Sequence, residues 1–214
     1  MTRGLSVTTQ HPPGKIRREN RDGRVARGER TRRSIVDAHA ELLREGELRP
    51  TAKLVAERAG VSVRTLWLNF GDMEALMSAT AAYWLDRDSD NWTPISPERP
   101  IAERIDDWCA QRAQRMEDLA PAAASALLVE PFSPSLTAAR SEHWARLLRD
   151  LAFTFGPEIG PNSPEDSPLH LALLGISNSM TWQGFRRDQG LSVEQARQVM
   201  HHAFTALLTK GQTP

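Results

Sequence analysis

The chain has 214 residues, of which 40% are hydrophobic and 25% are charged, and its formal net charge is zero. This length can bury a core in one or two domains. No apolar run approaches the roughly 18 residues of a membrane span, and the N-terminal residues lack the apolar stretch of a signal peptide. We therefore expect a globular protein that stays in the cytoplasm and has no membrane partner. The single cysteine, Cys109, excludes an intramolecular disulfide and favours a semi-buried thiol over a catalytic one.

Charge is distributed unevenly along the chain. Residues 1–70 contain 15 Lys and Arg against 8 Asp and Glu, whereas residues 71–214 contain 12 against 19. Much of the positive excess lies in KIRRENRDGRVARGERTRR, directly before the first clear helical pattern. This asymmetry favours an anionic partner, and nucleic acid ahead of membrane, because no apolar face accompanies the basic run. The alternative is a solvated, disordered basic tail.

The first half of the chain shows helical periodicity in every ordered stretch. Apolar residues repeat on one face over about residues 27–44, and Thr51 and Ser62 are suitable N-caps for two short helices. Asp72 is a suitable N-cap for a longer helix that ends near residue 88. No apolar alternation long enough for a sheet occurs anywhere in the sequence. The sequence therefore predicts an all-α fold.

The second half predicts further helices, punctuated by proline and glycine. In chain order we expect them over about residues 97–120, 136–155, 168–187 and 192–208. Pro121 should interrupt the first of these, and Gly156-Pro157 should end the second. The stretch GPEIGPNSPEDSP is rich in proline and acid, and it predicts a mobile connector. Ser192 and Gln195 form a capping box for the last helix.

Residues 56–70, AERAGVSVRTLWLNF, have the features of a helix-turn-helix. Gly60 can adopt the positive φ that the turn requires, and Val61 and Leu66 provide a small core between the two helices. Ser62 places free backbone N–H groups where they can meet a phosphate, and Arg64 lies where a recognition helix meets base edges. Since any helical hairpin needs a small residue at its corner, two packed helices without a DNA role remain an alternative.

Further residues extend this motif in a fixed order. They are Ala59-Gly60-Val61-Ser62, then Thr65-Leu66-Trp67, Asn69-Phe70 and Glu74-Ala75-Leu76-Met77. The series is similar to the pattern AGVSxxTLYxHFxxKExLL of the TetR family of transcriptional regulators, and residues 27–77 resemble its DNA-binding domain. The resemblance implies a flexible basic arm at residues 1–26, a three-helix DNA-binding domain at 27–71, and a helical ligand-binding and dimerisation domain at 72–214.

The expected DNA contacts combine the motif with the basic segment. They are Thr51, Lys53, Ser62, Val63, Arg64, Thr65, Trp67 and Asn69, together with Arg27, Arg30, Arg32 and Arg33. Three positions depart from the family pattern: Trp67 replaces Tyr, Asn69 replaces a common His, and Met73 replaces Lys. The first and last changes remove polar contacts to phosphate, which the arginines of the arm can compensate.

The acidic second half supplies candidates for a ligand cavity and a dimer interface. Residues that combine apolar bulk with polar atoms predict a site for a largely apolar small molecule: Trp108, Cys109, Met116, Leu128, His143, Trp144, Leu147, Asn178, Met180 and Trp182. The family resemblance implies that the last two helices pair with a twin chain, through Leu173, Ile176, Met180, Val199, Ala203 and Leu207.

These observations predict a homodimeric repressor that a small apolar effector releases from a palindromic DNA operator. We expect no enzyme activity, no cofactor and no metal site, since the adjacent His201 and His202 point to different helix faces. One alternative is a helical protein-interaction module whose DNA-reading helix has degenerated. Another is a regulator controlled by a protein partner instead of a ligand.

Overall fold

The computed structural model describes residues 15–160 and 167–209, with side chains from residue 25 onward. Within these residues the chain is helical and has no β-strand, which confirms the predicted all-α class. The helices are α1 (Lys15–Arg44), α2 (Ala52–Arg58), α3 (Val63–Phe70), α4 (Met73–Asp90), α5 (Ile101–Val129), α6 (Pro134–Ile159), α7 (Pro168–Ser177), α8 (Ser179–Gln183) and α9 (Val193–Thr209). A short 3-10 helix covers Glu130–Phe132, and a π-helical segment covers Gly184–Asp188.

Side-chain caps start several helices where the sequence predicted them. Thr51 Oγ1 accepts a hydrogen bond from the Leu54 amide, and Asp72 Oδ1 accepts one from the Ala75 amide. At α9 the Ser192 amide donates to Gln195 Oε1 and the Gln195 amide donates to Ser192 Oγ, which confirms the capping box. Each of these caps joins residues three apart, so it depends on local sequence alone.

The N-terminal helices enclose a small core, which we call the head core. Its buried residues are Ile35, Val36, Ala38, Leu42, Val55, Ala56, Leu66, Phe70 and Leu76. They come from α1, α2, α3 and the first turns of α4. The core therefore holds α2 and α3 on the long α1, as a helix-turn-helix domain requires.

A larger core, the body core, fills the space between α4, α5, α6, α7, α8 and α9. Trp108 lies near its centre, with ring centroids 5.3 Å from Trp92, 5.6 Å from Phe155 and 6.2 Å from Phe204. Helix α4 supplies Leu76 to the head core and Trp84 to the body core. The predicted boundary at residue 72 thus falls at the start of a helix that both cores share.

The first helix begins earlier than the sequence predicted. Helix α1 starts at Lys15, whereas we expected a flexible arm through residue 26 and a helix from about residue 27. The segment KIRRENRDGRVA is rich in Lys, Arg and Glu, which have high helix propensity, and it has no proline to stop the helix. Residues 15–26 therefore continue the helix, and the remainder of the predicted arm lies outside the described residues.

Two prolines that were expected to break helices are accommodated within them. Pro121 lies inside α5, and Pro157 lies inside α6, which continues to Ile159. The non-helical angles of Phe155, φ −118° and ψ 17°, mark the kink that the second proline imposes. Helix α5 also starts later than expected, at Ile101, since Pro100 directly precedes it.

The predicted helix over residues 168–187 is interrupted at Asn178. This residue has extended angles, φ −84° and ψ 163°, and its Oδ1 caps α8 by accepting hydrogen bonds from the amides of Met180 and Thr181. Its Nδ2 donates to the carbonyl of Gly175 at the end of α7. One asparagine side chain therefore satisfies both helix ends and stabilises the break. The middle of the predicted mobile connector, residues 161–166, lies outside the described residues, while residues 156–159 belong to α6.

Candidate nucleic-acid interface and cavity

Helices α2 and α3 form a tight pair around a turn at Gly60. Gly60 has φ 66°, a left-handed value that favours glycine, and the Val61 amide donates to the Ala56 carbonyl at 2.9 Å. Ser62 Oγ then caps α3 by accepting from the Thr65 amide at 3.0 Å. The turn and the cap together fix the direction in which the N-terminus of α3 points.

The N-terminal end of α3 is open to solvent. Ser62, Val63 and Arg64 are exposed, and Arg64 makes no hydrogen bond or ion pair with any described residue. Leu66 and Phe70 on the opposite face are buried in the head core. The helix therefore presents one flexible cation and a set of free backbone N–H groups on a surface that a DNA groove could cover.

Three other expected DNA contacts are half-buried and take part in the fold. Thr65 Oγ1 lies 2.8 Å from Ser62 Oγ, Asn69 Nδ2 donates to the Thr65 carbonyl at 2.8 Å, and Trp67 packs against the head core. Because their side chains are partly engaged, these residues have less freedom than Arg64 to adapt to a base sequence.

The residues expected to contact the DNA backbone differ in how far their side chains are engaged. Thr51 Oγ1 accepts the hydrogen bond from the Leu54 amide that caps α2, and Lys53 Nζ lies 3.9 Å from Glu57 Oε1. Arg27, Arg30 and Arg33 on α1, and Thr51 and Lys53 at the start of α2, are all exposed. Arg32 differs, since its guanidinium donates to the Asn69 carbonyl at 2.5 Å and lies 4.1 Å from the centre of the Phe70 ring. Arg32 therefore ties α3 to α1.

Leu68 on α3 is 75% exposed and was not among the expected DNA contacts. The signal was present, because Leu66 is buried and two residues along a helix point to nearly opposite faces. An exposed leucine on this face can contact the methyl group of thymine.

A cavity of about 140 Å³ lies behind the head. Its walls come from α1, α4, α5, α6 and α8, and they are mainly apolar: Leu43, Met77, Ala81, Trp84, Leu85, Leu119, Ala122, Ala123, Ala126, Leu127, Leu136, Ala139 and Met180. Leu127 and Met180 are 46% and 51% exposed and mark its mouth. The cavity contacts both α1 and α4, the two helices that carry the head.

Polar groups occupy a few positions in this cavity wall. His39 Nδ1 lies 2.9 Å from Thr80 Oγ1, and Arg140 forms an ion pair with Glu130 at 2.8 Å. Gln183 is 7% exposed, and neither its amide oxygen nor its amide nitrogen has a hydrogen-bond partner. Burial lowers the pKa of His39 to about 4, so this histidine is neutral at physiological pH.

A buried cluster of charges lies next to the cavity. Arg115 donates two hydrogen bonds of 2.7 Å to Asp88, and Arg112 donates to the Ser177 carbonyl at 2.7 Å and to His143 Nε2 at 3.3 Å. Burial alone would raise the pKa of Asp88, but the hydrogen bonds and charge of Arg115, together with the charge of Arg112, outweigh it and hold this pKa below its usual value. Burial and the charge of Arg112 lower the pKa of His143 to about 4. Burial raises the pKa of Asp150, which lies 3.6 Å from Arg115.

Two crystal structures are similar to this chain along most of its length. A transcriptional regulator from Rhodococcus sp. Rha1 is 18% identical, with a TM-score of 0.65 over 87% of this chain and 99% of that chain. A protein assigned to the TetR family of transcriptional regulators, from Mesorhizobium loti MAFF303099, is also 18% identical, with a TM-score of 0.60 over 86% of this chain and 98% of that chain. The chain has the TetR-family fold.

Neither the family models nor the curated proteins contain a match to this sequence. In the TetR fold described here, none of the helices within residues 15–160 and 167–209 is long and apolar enough to cross a membrane. The same residues contain no group of three or more His, Cys, Asp or Glu that could hold a metal ion.

The cavity behind the head includes two residues of the predicted ligand site, His143 and Met180. Five others are buried in the body and do not line it: Trp108, Cys109, Met116, Leu147 and Trp182. Burial raises the pKa of the Cys109 thiol to about 12, which leaves it protonated and without nucleophilic character. Trp182 is held by a 2.7 Å hydrogen bond from its indole to Glu117. These five residues belong to the body and not to the cavity wall, because aromatic and apolar residues at helical spacing packed into the core.

The other three predicted ligand residues also lie outside the cavity wall. Asn178 caps α8, Leu128 is exposed at the end of α5, and Trp144 stacks under the Arg140 guanidinium at 5.2 Å. The cavity is instead lined by small residues of α5 and by side chains of α1 and α4. The sequence carried no signal for them, since alanines and leucines on several helices become neighbours only after folding.

The residues expected at a dimer interface differ in accessibility. Met180 and Val199 are exposed, and Ile176, Ala203 and Leu207 are half-buried. Leu173 is fully buried in the body core, so it cannot contact a second chain directly. Val199 and Ala203 lie one helical turn apart on α9 and share a face that a partner helix could cover.

Proposed function

We propose that this chain is a TetR-family transcriptional regulator that binds double-stranded DNA through α3. The observation that carries the proposal is the Ser62-capped N-terminus of α3, which leaves Arg64 exposed and without a partner among the described residues. A positively charged side chain at this end of a helix can reach guanine N7 and O6 in the major groove. The turn at Gly60 and the contact of Arg32 with Asn69 hold the helix in place for it.

Residues on the surfaces beside α3 provide the part of the affinity for DNA that does not depend on base sequence. Arg27, Arg30 and Arg33 on α1 supply exposed positive charge, and Thr51 and Lys53 supply donors at the start of α2. Such groups bind phosphate oxygens and orient the protein on the duplex. They can compensate for two phosphate contacts of the family pattern, which has Tyr and Lys where this chain has Trp67 and Met73.

The regulator acts as a homodimer on a near-palindromic operator. Val199 and Ala203 on α9 offer a surface for the twin chain, together with Met180 on α8. A two-fold dimer presents two copies of α3 to successive major grooves, about 34 Å apart. Binding of the dimer at a promoter represses transcription by occupying it.

A small molecule in the cavity releases the DNA. Its walls include Leu43 of α1 and Met77 of α4, and both helices also carry the head core. A ligand that binds better to one orientation of α4 than to another shifts the distance between the two recognition helices. The operator then no longer fits both copies of α3 together.

Selection from random double-stranded DNA tests this function. The full chain is purified, bound DNA is recovered at near-physiological salt, and the recovered fragments are sequenced. We expect an inverted repeat with half-sites about one helical turn apart. Recovery of DNA without a shared motif, with binding lost as salt rises, would contradict sequence-specific regulation and favour a protein-interaction module.

A further inference from the structure

Gln183 lines the cavity described above and has two unused hydrogen-bonding groups. It is 7% exposed, yet neither Oε1 nor Nε2 has a partner among the described residues. A buried amide without partners destabilises the fold unless a ligand or water satisfies it. Gln183 is also the last residue of α8 and directly precedes the π-helical segment Gly184–Asp188. Segments of this kind occur frequently at functional sites.

His39 supplies a hydrogen-bond acceptor to the same cavity. The single hydroxyl hydrogen of Thr80 is donated to the Leu76 carbonyl at 3.0 Å, so Thr80 Oγ1 must accept from His39 Nδ1. In the neutral ring the other nitrogen, Nε2, is then unprotonated. It makes no hydrogen bond with a described residue, although His39 is only 3% exposed and lines the cavity.

The cavity has no uncompensated charge with which to bind an ion. Its two charged wall residues, Arg140 and Glu130, form an ion pair with each other. Both nitrogens of His143 face the buried charge cluster, Nε2 toward Arg112 at 3.3 Å and Nδ1 toward Asp88 at 3.6 Å. A charged ligand would therefore lose its hydration without gaining a counter-ion.

We propose that the cavity binds an uncharged, compact and mainly apolar molecule with one neutral hydroxyl or amide group, which Gln183 and His39 recognise. The hydrogen of a ligand hydroxyl donates to Gln183 Oε1 and its oxygen accepts from Gln183 Nε2, while His39 Nε2 accepts the second hydrogen of a primary amide. A volume of about 140 Å³ suits a body of roughly one six-membered ring. This proposal rests on the proposed regulatory function in one respect, since it takes this cavity to be the site where the effector binds.

The experiment measures binding of three probes to the purified full chain by isothermal titration calorimetry at about pH 7, without DNA. The probes are 4-ethylphenol, its methyl ether 4-ethylanisole, and 4-ethylbenzoate. They share one apolar body and differ in the polar group: a neutral donor and acceptor, an acceptor alone, and an anion. We expect the phenol to bind at least about tenfold more tightly than the other two, as one well-placed hydrogen bond provides.

Gln183→Leu tests the residue that carries this preference, and Gln189→Leu is the matched control at an exposed glutamine outside the cavity. The first variant should bind phenol and ether within about threefold of each other, whereas the control should keep the tenfold preference. The preference of the wild-type chain for phenol remains a test even if Gln183→Leu does not fold.

The proposal would be overturned if the benzoate or the ether bound as tightly as the phenol. It would also be overturned if Gln183→Leu kept the preference, or if the phenol failed to bind at about 1 mM. Phenol binding by a chain that selects no DNA motif would contradict the regulatory function but leave this site chemistry standing. Selection of a motif by a chain that does not bind phenol would contradict this inference alone.

Discussion

Asp88 holds together the buried charge cluster of the body. Its side chain is 1% exposed and accepts two 2.7 Å hydrogen bonds from Arg115, whose own side chain is 4% exposed. Arg112, 1% exposed, lies in the same cluster. When one partner of a buried ion pair is removed, the other is left as an uncompensated buried charge. The resulting loss in the free energy of unfolding is larger than the net stabilisation that the intact pair provides.

Asp88→Asn should therefore lower the free energy of unfolding by about 3–5 kcal/mol. Urea unfolding followed by circular dichroism measures the change. Asp90→Asn is the control, because Asp90 is exposed at the end of α4 and has no ion-pair partner among the described residues. Equal stability of the two variants would mean that the cluster contributes no net stabilisation.

Two buried histidines should make the fold sensitive to acid. Burial lowers the pKa of His39 and of His143 from 6.5 to about 4, whereas both ionise near 6.5 in the unfolded chain. Between pH 4 and pH 6.5 the unfolded state binds more protons than the folded state. The free energy of unfolding therefore has its full value above pH 6.5 and falls as the pH drops toward 4. The loss is about 3 kcal/mol for each histidine at most.

Urea unfolding at a series of pH values between about 4 and 7 measures this loss. His39→Phe should reduce the loss of stability below about pH 6.5 by roughly half, since His143 remains, whereas exchange of the exposed His202 for Gln should leave it unchanged. A wild-type stability that stays constant through this window would show that the histidines are not held in the neutral form.

Arg64 is the residue on which base recognition depends in our proposal. Arg64→Ala should weaken binding to the selected operator by about 1–3 kcal/mol and relax the preference at one or two base positions. Repeating the DNA selection with this variant measures the change, and Arg149→Ala, at an exposed arginine of α6, is the control. An unchanged preference would contradict the role of Arg64 but not that of α3 as a whole.

At the scale of elements, the contact between α4 and α6 links the head to the cavity. Glu74 Oε1, in the first turn of α4, accepts hydrogen bonds from Ser133 Oγ at 2.8 Å, Ser135 Oγ at 2.6 Å and the Ser135 amide at 3.2 Å. The Ser135 hydroxyl is the main cause of the lowered pKa of Glu74. Helix α6 starts at this contact and supplies Leu136 and Ala139 to the cavity wall.

Glu74→Gln should loosen this connection, because a neutral amide is a weaker acceptor and interacts less favourably with the N-terminus of α6. We expect a loss of about 1 kcal/mol in stability and faster hydrogen exchange of the amides in the first turns of α6. Glu98→Gln, at an exposed glutamate before α5, is the control. Unchanged exchange in α6 would mean that Glu74 does not hold the two helices together.

At the scale of the whole molecule, the asymmetry of charge determines how DNA binding responds to salt. Residues 1–70 contain 15 basic and 8 acidic side chains, while the rest of the chain has an acidic excess. If each subunit of a dimer uses Arg27, Arg30, Arg33 and Lys53 on phosphates, the plot of log affinity against log salt should have a slope of roughly −7.

Fluorescence anisotropy with the selected operator over about 50–200 mM salt measures this slope. Lys53→Ala should reduce its magnitude by about 2, since both subunits lose a contact, with no change in the preferred sequence. A slope unaffected by Lys53→Ala would place this lysine outside the DNA interface.

The helix caps and the turn between α2 and α3 were predictable from local sequence. The caps at Thr51, Ser62 and Asp72, the turn at Gly60 and the capping box at Ser192 all form between residues a few positions apart. Their partners lie within one helical turn, so no distant contact can easily replace them. Prolines were less reliable guides, because tertiary packing can compensate for one missing hydrogen bond, as at Pro121.

Only the tertiary structure decided which residues form the cavity and which form the core. Trp108 and Gln183 are both buried, but Trp108 packs among other aromatic rings while Gln183 keeps its amide free beside the cavity. Helical periodicity identifies the face that a helix buries and does not reveal what it is buried against. Whether a buried side chain meets another side chain or empty space depends on how helices distant in sequence pack together.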